Sequence, residues 1–123
     1  MLRIEDIAVV MHEANRAMQL VAGQQVDPEW KDAGWRQEAT IASIRDMLAG
    51  NTDFKAQHDR WRAERLADGW KYGPVKDPAQ KTNPLLVEFE DLPALDRLKD
   101  PLRLAILTVL LPVLIVAPSE ITA

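Results

Sequence analysis

The chain has 123 residues and a mass of 13.9 kDa, enough for one domain that buries about two-thirds of its unfolded surface and too little for a multi-domain enzyme. Hydrophobic residues at 47% and charged residues at 28% are ordinary for a folded protein, and the absence of cysteine excludes a disulfide framework, a thiolate nucleophile and a zinc–thiolate site. A net charge of -4 and a pI near 5.1 argue against the broad basic surface that a nucleic-acid polymer needs.

The first stretch, MLRIEDIAVVMHEANRAM, carries acids and helical spacing where a signal peptide has a basic end and a plain apolar run, so the expected location is the cytoplasm. Ile4, Ile7, Ala8, Met11, Met18 and Val21 follow a three-and-four spacing that predicts an amphipathic helix over 3–22, stopped by Gly23, with that stripe in the core. His12, Asn15, Arg16 and Gln19 follow the same rule and line a second, polar face. After the polar connection GQQVDPEWKDAGW, the spacing predicts a second helix over Glu38–Ala49, with Ile41, Ile44 and Leu48 inward and Gly50 as a left-handed C-cap.

Thr52 or Asp53 is the expected N-cap of a third helix that runs to Asp68 and stops at Gly69. On it His58, Trp61, Arg62 and Arg65 share one side. The segment GWKYGPVKDPAQKTNP reads as an ordered loop with a short hairpin through Trp70 to Val75. Leu85 to Phe89 is expected as a strand or extended run, Asp91-Leu92-Pro93 as one helix start and Asp100-Pro101 as another. From Leu104 to Ala117 the chain is apolar apart from Thr108. At 14 residues with Pro112 inside, this is too short for a membrane span, which needs about 20 residues. A buried helix to about Leu111 and an extended apolar tail are expected, the tail docking on its own core or on another copy, which favours a homo-oligomer.

Charge is uneven along the chain. Residues 1–50 hold five basic and eight acidic residues, 51–81 seven and five, and 82–123 three and six. The basic middle suits a small anionic ligand better than a polymer. Trp61, Trp70 and Tyr72 lie there among Arg62, Arg65, Lys71, Lys76 and Lys81, and rings stack on bases while cations hold phosphates. The plainer alternative makes Trp61 and Trp70 core residues that pin the loop to the third helix, and the lysines a solvated surface. Arg16, beside His12 and Asn15, needs an anionic or acceptor partner if buried; a protein carboxylate such as Glu38 or Asp77 is as good an answer as a ligand. Standard catalytic signatures are absent. His12-Glu13 and His58-Asp59 are adjacent pairs that diverge on a helix, so no metal site and no cofactor are expected.

The stretch His58-x-x-Trp61, then Gly69-Trp70-x-Tyr72-Gly73-Pro74-Val75-x-Asp77, then Lys81-x-Asn83-Pro84-x-Leu86-Val87, Leu92-Pro93 and Lys99-Asp100, resembles the RyR domain, a small repeat of ryanodine receptors that also stands alone in bacteria and bacteriophages. The likeness spans about residues 55–110, and HEANRA and AGWRQEA are similar to the leader of stand-alone members. Asn83 stands where the family often has His, and Glu88-Phe89 where it often has Pro-Tyr.

The resemblance implies a mainly helical fold with a short extended or hairpin piece and no established enzymatic activity. It also implies a structural or interaction role in receptors, and in bacteria and phages a candidate sensor of nucleotide-derived signals in immunity. The organisation expected is a single domain over 1–123: a helical leader over 1–50, a core over 51–111 and an apolar tail over 112–123, oligomeric through that tail. His12, Asn15, Arg16, Trp35, Arg36, His58, Trp61, Arg62, Trp70, Tyr72, Lys76 and Lys81 are expected to gather around a small anionic nucleotide derivative, of ADP-ribose or cyclic-nucleotide type, sensed or sequestered without catalysis. A structural or protein-interaction module without a small ligand is the alternative, and a hydrolase of such a nucleotide, with His12 or His58 as base, a weaker one. Neither a nucleic-acid polymer nor a membrane is an expected partner.

Overall fold

A computed structural model describes residues 1–115, with α-helices at Ile4–Val21 (α1), Trp35–Leu48 (α2), Phe54–Ala67 (α3) and Ala94–Leu110 (α4). Two two-residue strands, Lys71–Tyr72 (β1) and Thr82–Asn83 (β2), complete the regular structure, and the mainly helical class read from the sequence holds. The chain divides into two compact units, Met1–Thr52 with the chain from Leu98 onward, and Asp53–Arg97.

In the first unit the Arg3 amide donates to the Asp6 carboxylate (2.8 Å), which satisfies one of the free N–H groups at the start of α1. Ile4, Ile7, Ala8 and Met11 of α1, Ile41, Ile44 and Met47 of α2 and Leu107 of α4 form one buried cluster. The predicted stripe does not hold to the end of α1. Met18 is half-buried and Val21 is exposed in the last turn, whereas Gln19, read as polar face, is buried. The second helix starts at Trp35, three residues before the predicted Glu38, because Gly34 takes a positive φ (58°) that turns the chain into the helix there.

At the far end the Leu2 amide donates to Val113 (2.8 Å) and the Ile115 amide to Leu2 (2.7 Å), a one-rung parallel bridge centred on Leu114. The start of the apolar tail is thus docked in cis on the N-terminus. The rest of the predicted tail, from Val116, lies outside the described residues.

In the second unit Asp53, one of the two caps predicted, accepts from the Ala56 amide (3.1 Å) and starts α3. The expected hairpin through Trp70–Val75 is replaced by a parallel pair, Lys71 opposite Thr82 and Tyr72 opposite Asn83. Gly73 sits flat against Thr82, where a Cβ would lie 2.7 Å from the threonine Cβ. Thr82 and Asp77 exchange both amide bonds (3.0 Å each), and the Thr82 hydroxyl donates to the Val75 carbonyl (2.8 Å). These bonds hold the connection between the strands, which passes through Lys81 at φ 54°.

Leu85–Phe89 is not a strand. The Asn83 side-chain oxygen accepts from the Leu85 amide (2.8 Å), turning the chain so that Leu86 is buried, and Phe89–Asp91 is a 3-10 turn. The two predicted helix starts at Asp91-Leu92-Pro93 and Asp100-Pro101 merge into the single α4. The Pro93 carbonyl accepts the Asp96 and Arg97 amides at its start, and Pro101 lies inside the helix. Asp100 is no cap; it faces Arg103 (3.6 Å), whose guanidinium burial pushes below its ordinary range against the opposing pull of that carboxylate. Among the described residues no helix is long and apolar enough to cross a membrane.

Candidate functional site

The predicted ligand residues divide between the two units. In the first unit, His12, Arg16 and Gln19 sit on one face of α1, and that face grips the loop at Asp27-Pro28. His12, only 4% exposed, donates from Nε2 to the Pro28 carbonyl (2.6 Å); since a carbonyl only accepts, that nitrogen carries the hydrogen. Arg16 donates from Nε to the Asp27 carbonyl (3.0 Å) and from Nη1 to Glu13 (2.7 Å), so its partners are neither Glu38 nor Asp77. Gln19 accepts the Asp27 amide (2.7 Å). Three side chains, each a turn or so apart, therefore hold three backbone groups of two consecutive loop residues. The Asp27 carboxylate completes the junction by facing Arg36 (3.4 Å). The Arg36 guanidinium lies 4.7 Å over the Trp35 ring, which is 68% exposed, while the Trp30 ring meets His12 edge-on at 5.6 Å. Asn15 is half-buried.

The second unit repeats the arrangement with different residues. His58 of α3 donates from Nε2 to the Val87 carbonyl (2.8 Å), with the Trp61 ring at 5.6 Å and Phe89 at 6.1 Å. Arg62 meets Glu88 at 3.1 Å; its Nε is buried with no hydrogen-bond partner among the described residues. Glu88 and Phe89, two of the positions that depart from the family pattern, are among those that α3 engages. Trp70 donates its amide to the Arg65 carbonyl (2.9 Å) and its ring lies 5.8 Å from the Arg65 guanidinium, so it meets the end of α3, though Trp61 and Trp70 are half-buried and not in the core. Lys81 donates to the Asp68 carbonyl (2.8 Å), occupying a free acceptor at the end of α3. Tyr72 is 59% exposed, and Lys76 is exposed and meets no carboxylate among the described residues.

Most of the predicted set thus holds the chain's own loops, while Trp35, Tyr72 and Lys76 remain presented to solvent. Sequence reasoning missed Asp27, the hub of the first junction, and Val87, whose contribution is a carbonyl that no side chain betrays. It placed Gln19 on the right face without naming it a site residue. An open apolar depression on α4, lined by Ala105, Ile106, Val109 and Leu110, is a further surface feature. Among the described residues no group of three His, Asp or Glu side chains gathers to hold a metal.

Four helices, a two-residue parallel strand pair and loops held by histidine and arginine side chains bonded to the chain's own backbone and carboxylates make up the described residues. The family model for the RyR domain matches residues 36–111, more than half of the chain, and the chain belongs to the RyR domain family. The match begins inside α2, upstream of the 55–110 span read from the motifs. No solved structure matches the chain.

Proposed function

We propose that this RyR domain is a non-enzymatic interaction module, one that works by presenting rigid surface to a partner. One observation carries the reading: the cations and histidines that a nucleotide would need are already bonded within the chain, Arg16 to Asp27 and Glu13, Arg36 to Asp27, His58 to Val87 and Arg62 to Glu88. A phosphate at Arg16 would compete with a carboxylate already at 2.7 Å, and His58 already commits its Nε2–H to a carbonyl at 2.8 Å. Meanwhile Val109 of α4 is 76% exposed beside an apolar depression, a surface suited to burial, including against a second copy. The cysteine-free composition suits a reducing compartment, and the cytoplasm remains the location we favour.

A second reading, a sensor of an anionic nucleotide derivative in bacterial or phage immunity, draws on the open Trp35 ring beneath Arg36 in the first unit. A thermal-shift panel of mononucleotides, cyclic nucleotides and ADP-ribose separates the two. A ligand at a hundredfold its dissociation constant stabilises by about 2.7 kcal/mol. The interaction module gives a flat panel; a selective rise of several degrees with one compound would replace it with the sensor.

A further inference from the structure

We propose that the loop Lys71–Lys76 is a docking surface for an acidic peptide segment of a partner protein that also offers an apolar side chain. The proposal rests on the interaction-module reading and names the surface and the chemistry of its partner.

Every residue of Lys71-Tyr72-Gly73-Pro74-Val75-Lys76 is exposed except Gly73, with Tyr72 at 59% and Val75 at 68%. Two large apolar groups are therefore held in water between two lysines, an arrangement that folding itself does not favour. The loop is nevertheless rigidly built. The Lys71 amide donates to Lys81 (2.9 Å), the Val75 carbonyl accepts from Thr82, and Gly73 is pressed against the Thr82 side chain so closely that no other residue fits without displacement. A surface fixed before binding loses little conformational freedom on docking.

Charge identifies the partner. Within the same unit Lys55 meets Glu90 (3.2 Å) and Asp59, Arg62 meets Glu88, and Lys81 meets Asp68, but Lys71 and Lys76 meet no carboxylate among the described residues. They are left to attract an acid from outside. The exposure of Tyr72 and Val75 means that no wall surrounds them, so the surface does not enclose a small molecule as a nucleotide site must. Nor does it suit an anionic bilayer, since two lysines contribute on the order of 1 kcal/mol each near such a surface and the chain as a whole carries a charge of -4. An extended acidic segment, long enough to reach both lysines and carrying a side chain to cover Tyr72 and Val75, fits what remains.

The test is selection of a random 12-residue displayed peptide library on the full chain, followed by titration of the most enriched peptide. Enriched peptides should be net acidic with at least one aromatic or large aliphatic residue. Affinity should fall at least tenfold in Lys71→Glu/Lys76→Glu, several-fold in Val75→Ser, and with added salt. Lys71→Gln/Lys76→Gln replaces the double charge reversal if that variant melts below the wild type. Neutral or basic consensus peptides, no enrichment, indifference to both loop variants, or co-sedimentation with phosphatidylserine vesicles that matches the peptide's affinity would each overturn the proposal. Binding lost in Val109→Glu and retained in the loop variants would overturn it while leaving the interaction module in place. A flat peptide selection together with a nucleotide-induced thermal shift would remove both.

Discussion

The two units of this chain are held together by different means. The first has a continuous apolar cluster of eight buried residues drawn from α1, α2 and α4. Both units bond side chains to distant backbone, but the second buries few large apolar side chains, Leu86 and Leu92 among them, so such bonds carry more of its shape: His58 to Val87, Lys81 to Asp68, Thr82 to Val75. Apolar burial tolerates imprecise geometry and yields stability in proportion to area, whereas a hydrogen bond contributes about 1 kcal/mol and only in one geometry. The second unit is therefore the one whose shape depends more on individual polar residues, and it is also the one that presents the Lys71–Lys76 loop.

The contrast is sharpest for deletions of core volume. Ile7 and Ile44 are fully buried, and Ile7→Ala or Ile44→Ala should lower unfolding free energy by about 2–5 kcal/mol in urea titration. The second unit should answer instead to crowding: Gly73→Ala places a methyl 2.7 Å from Thr82 Cβ and should cost about 1–3 kcal/mol. Combining it with Thr82→Gly, which removes the opposing Cβ, should give a loss smaller than the sum of the two, since both act on one contact. Asp53→Ala removes the cap of α3 and should cost about 1 kcal/mol, seen as a lower melting midpoint.

The smallest effect belongs to the exposed Lys55–Glu90 pair. The Glu90 carboxyl is held below its ordinary range, first by a hydrogen bond to its own backbone and then by Lys55, which is itself raised chiefly by its bond to Glu90. A depressed acid adds stability above its unfolded pKa and loses it as pH falls through the folded one. Any gap in stability between wild type and Glu90→Gln should therefore be present at neutral pH and close in acid below the carboxylate range. The pair is open to solvent, so the gap should be slight throughout.

How far the fold could be read in advance divides helices from loops. Helices announced by periodicity and by Asp53, Gly50 and Gly69 lie where the spacing puts them, within three residues. The loops of both units were less legible because their determinants are bonds to main-chain atoms. Nothing in the identity of Val87 or Pro28 shows that its carbonyl receives a histidine 29 or 16 residues away. The parallel pairing of β1 and β2 depends on Gly73 meeting Thr82, a contact that turn-residue composition does not distinguish from a hairpin. Pro101 misled for a related reason: with Asp100 before it, the pair looks like a helix start, yet Pro101 and the Arg97 whose carbonyl it leaves unbonded are both exposed, and α4 continues past them. For the candidate site, residue types and faces were legible while their partners within the chain were not.

These histidines and arginines hold the chain's own loops in place. Amide hydrogen exchange of His58→Ala against wild type, with no ligand added, tests this most directly. Faster exchange across residues 85–91 and a melting midpoint lower by several degrees are expected, with α1 core amides still protected. Unchanged exchange over 85–91 and an unchanged midpoint would contradict it, leaving His58 available for a ligand.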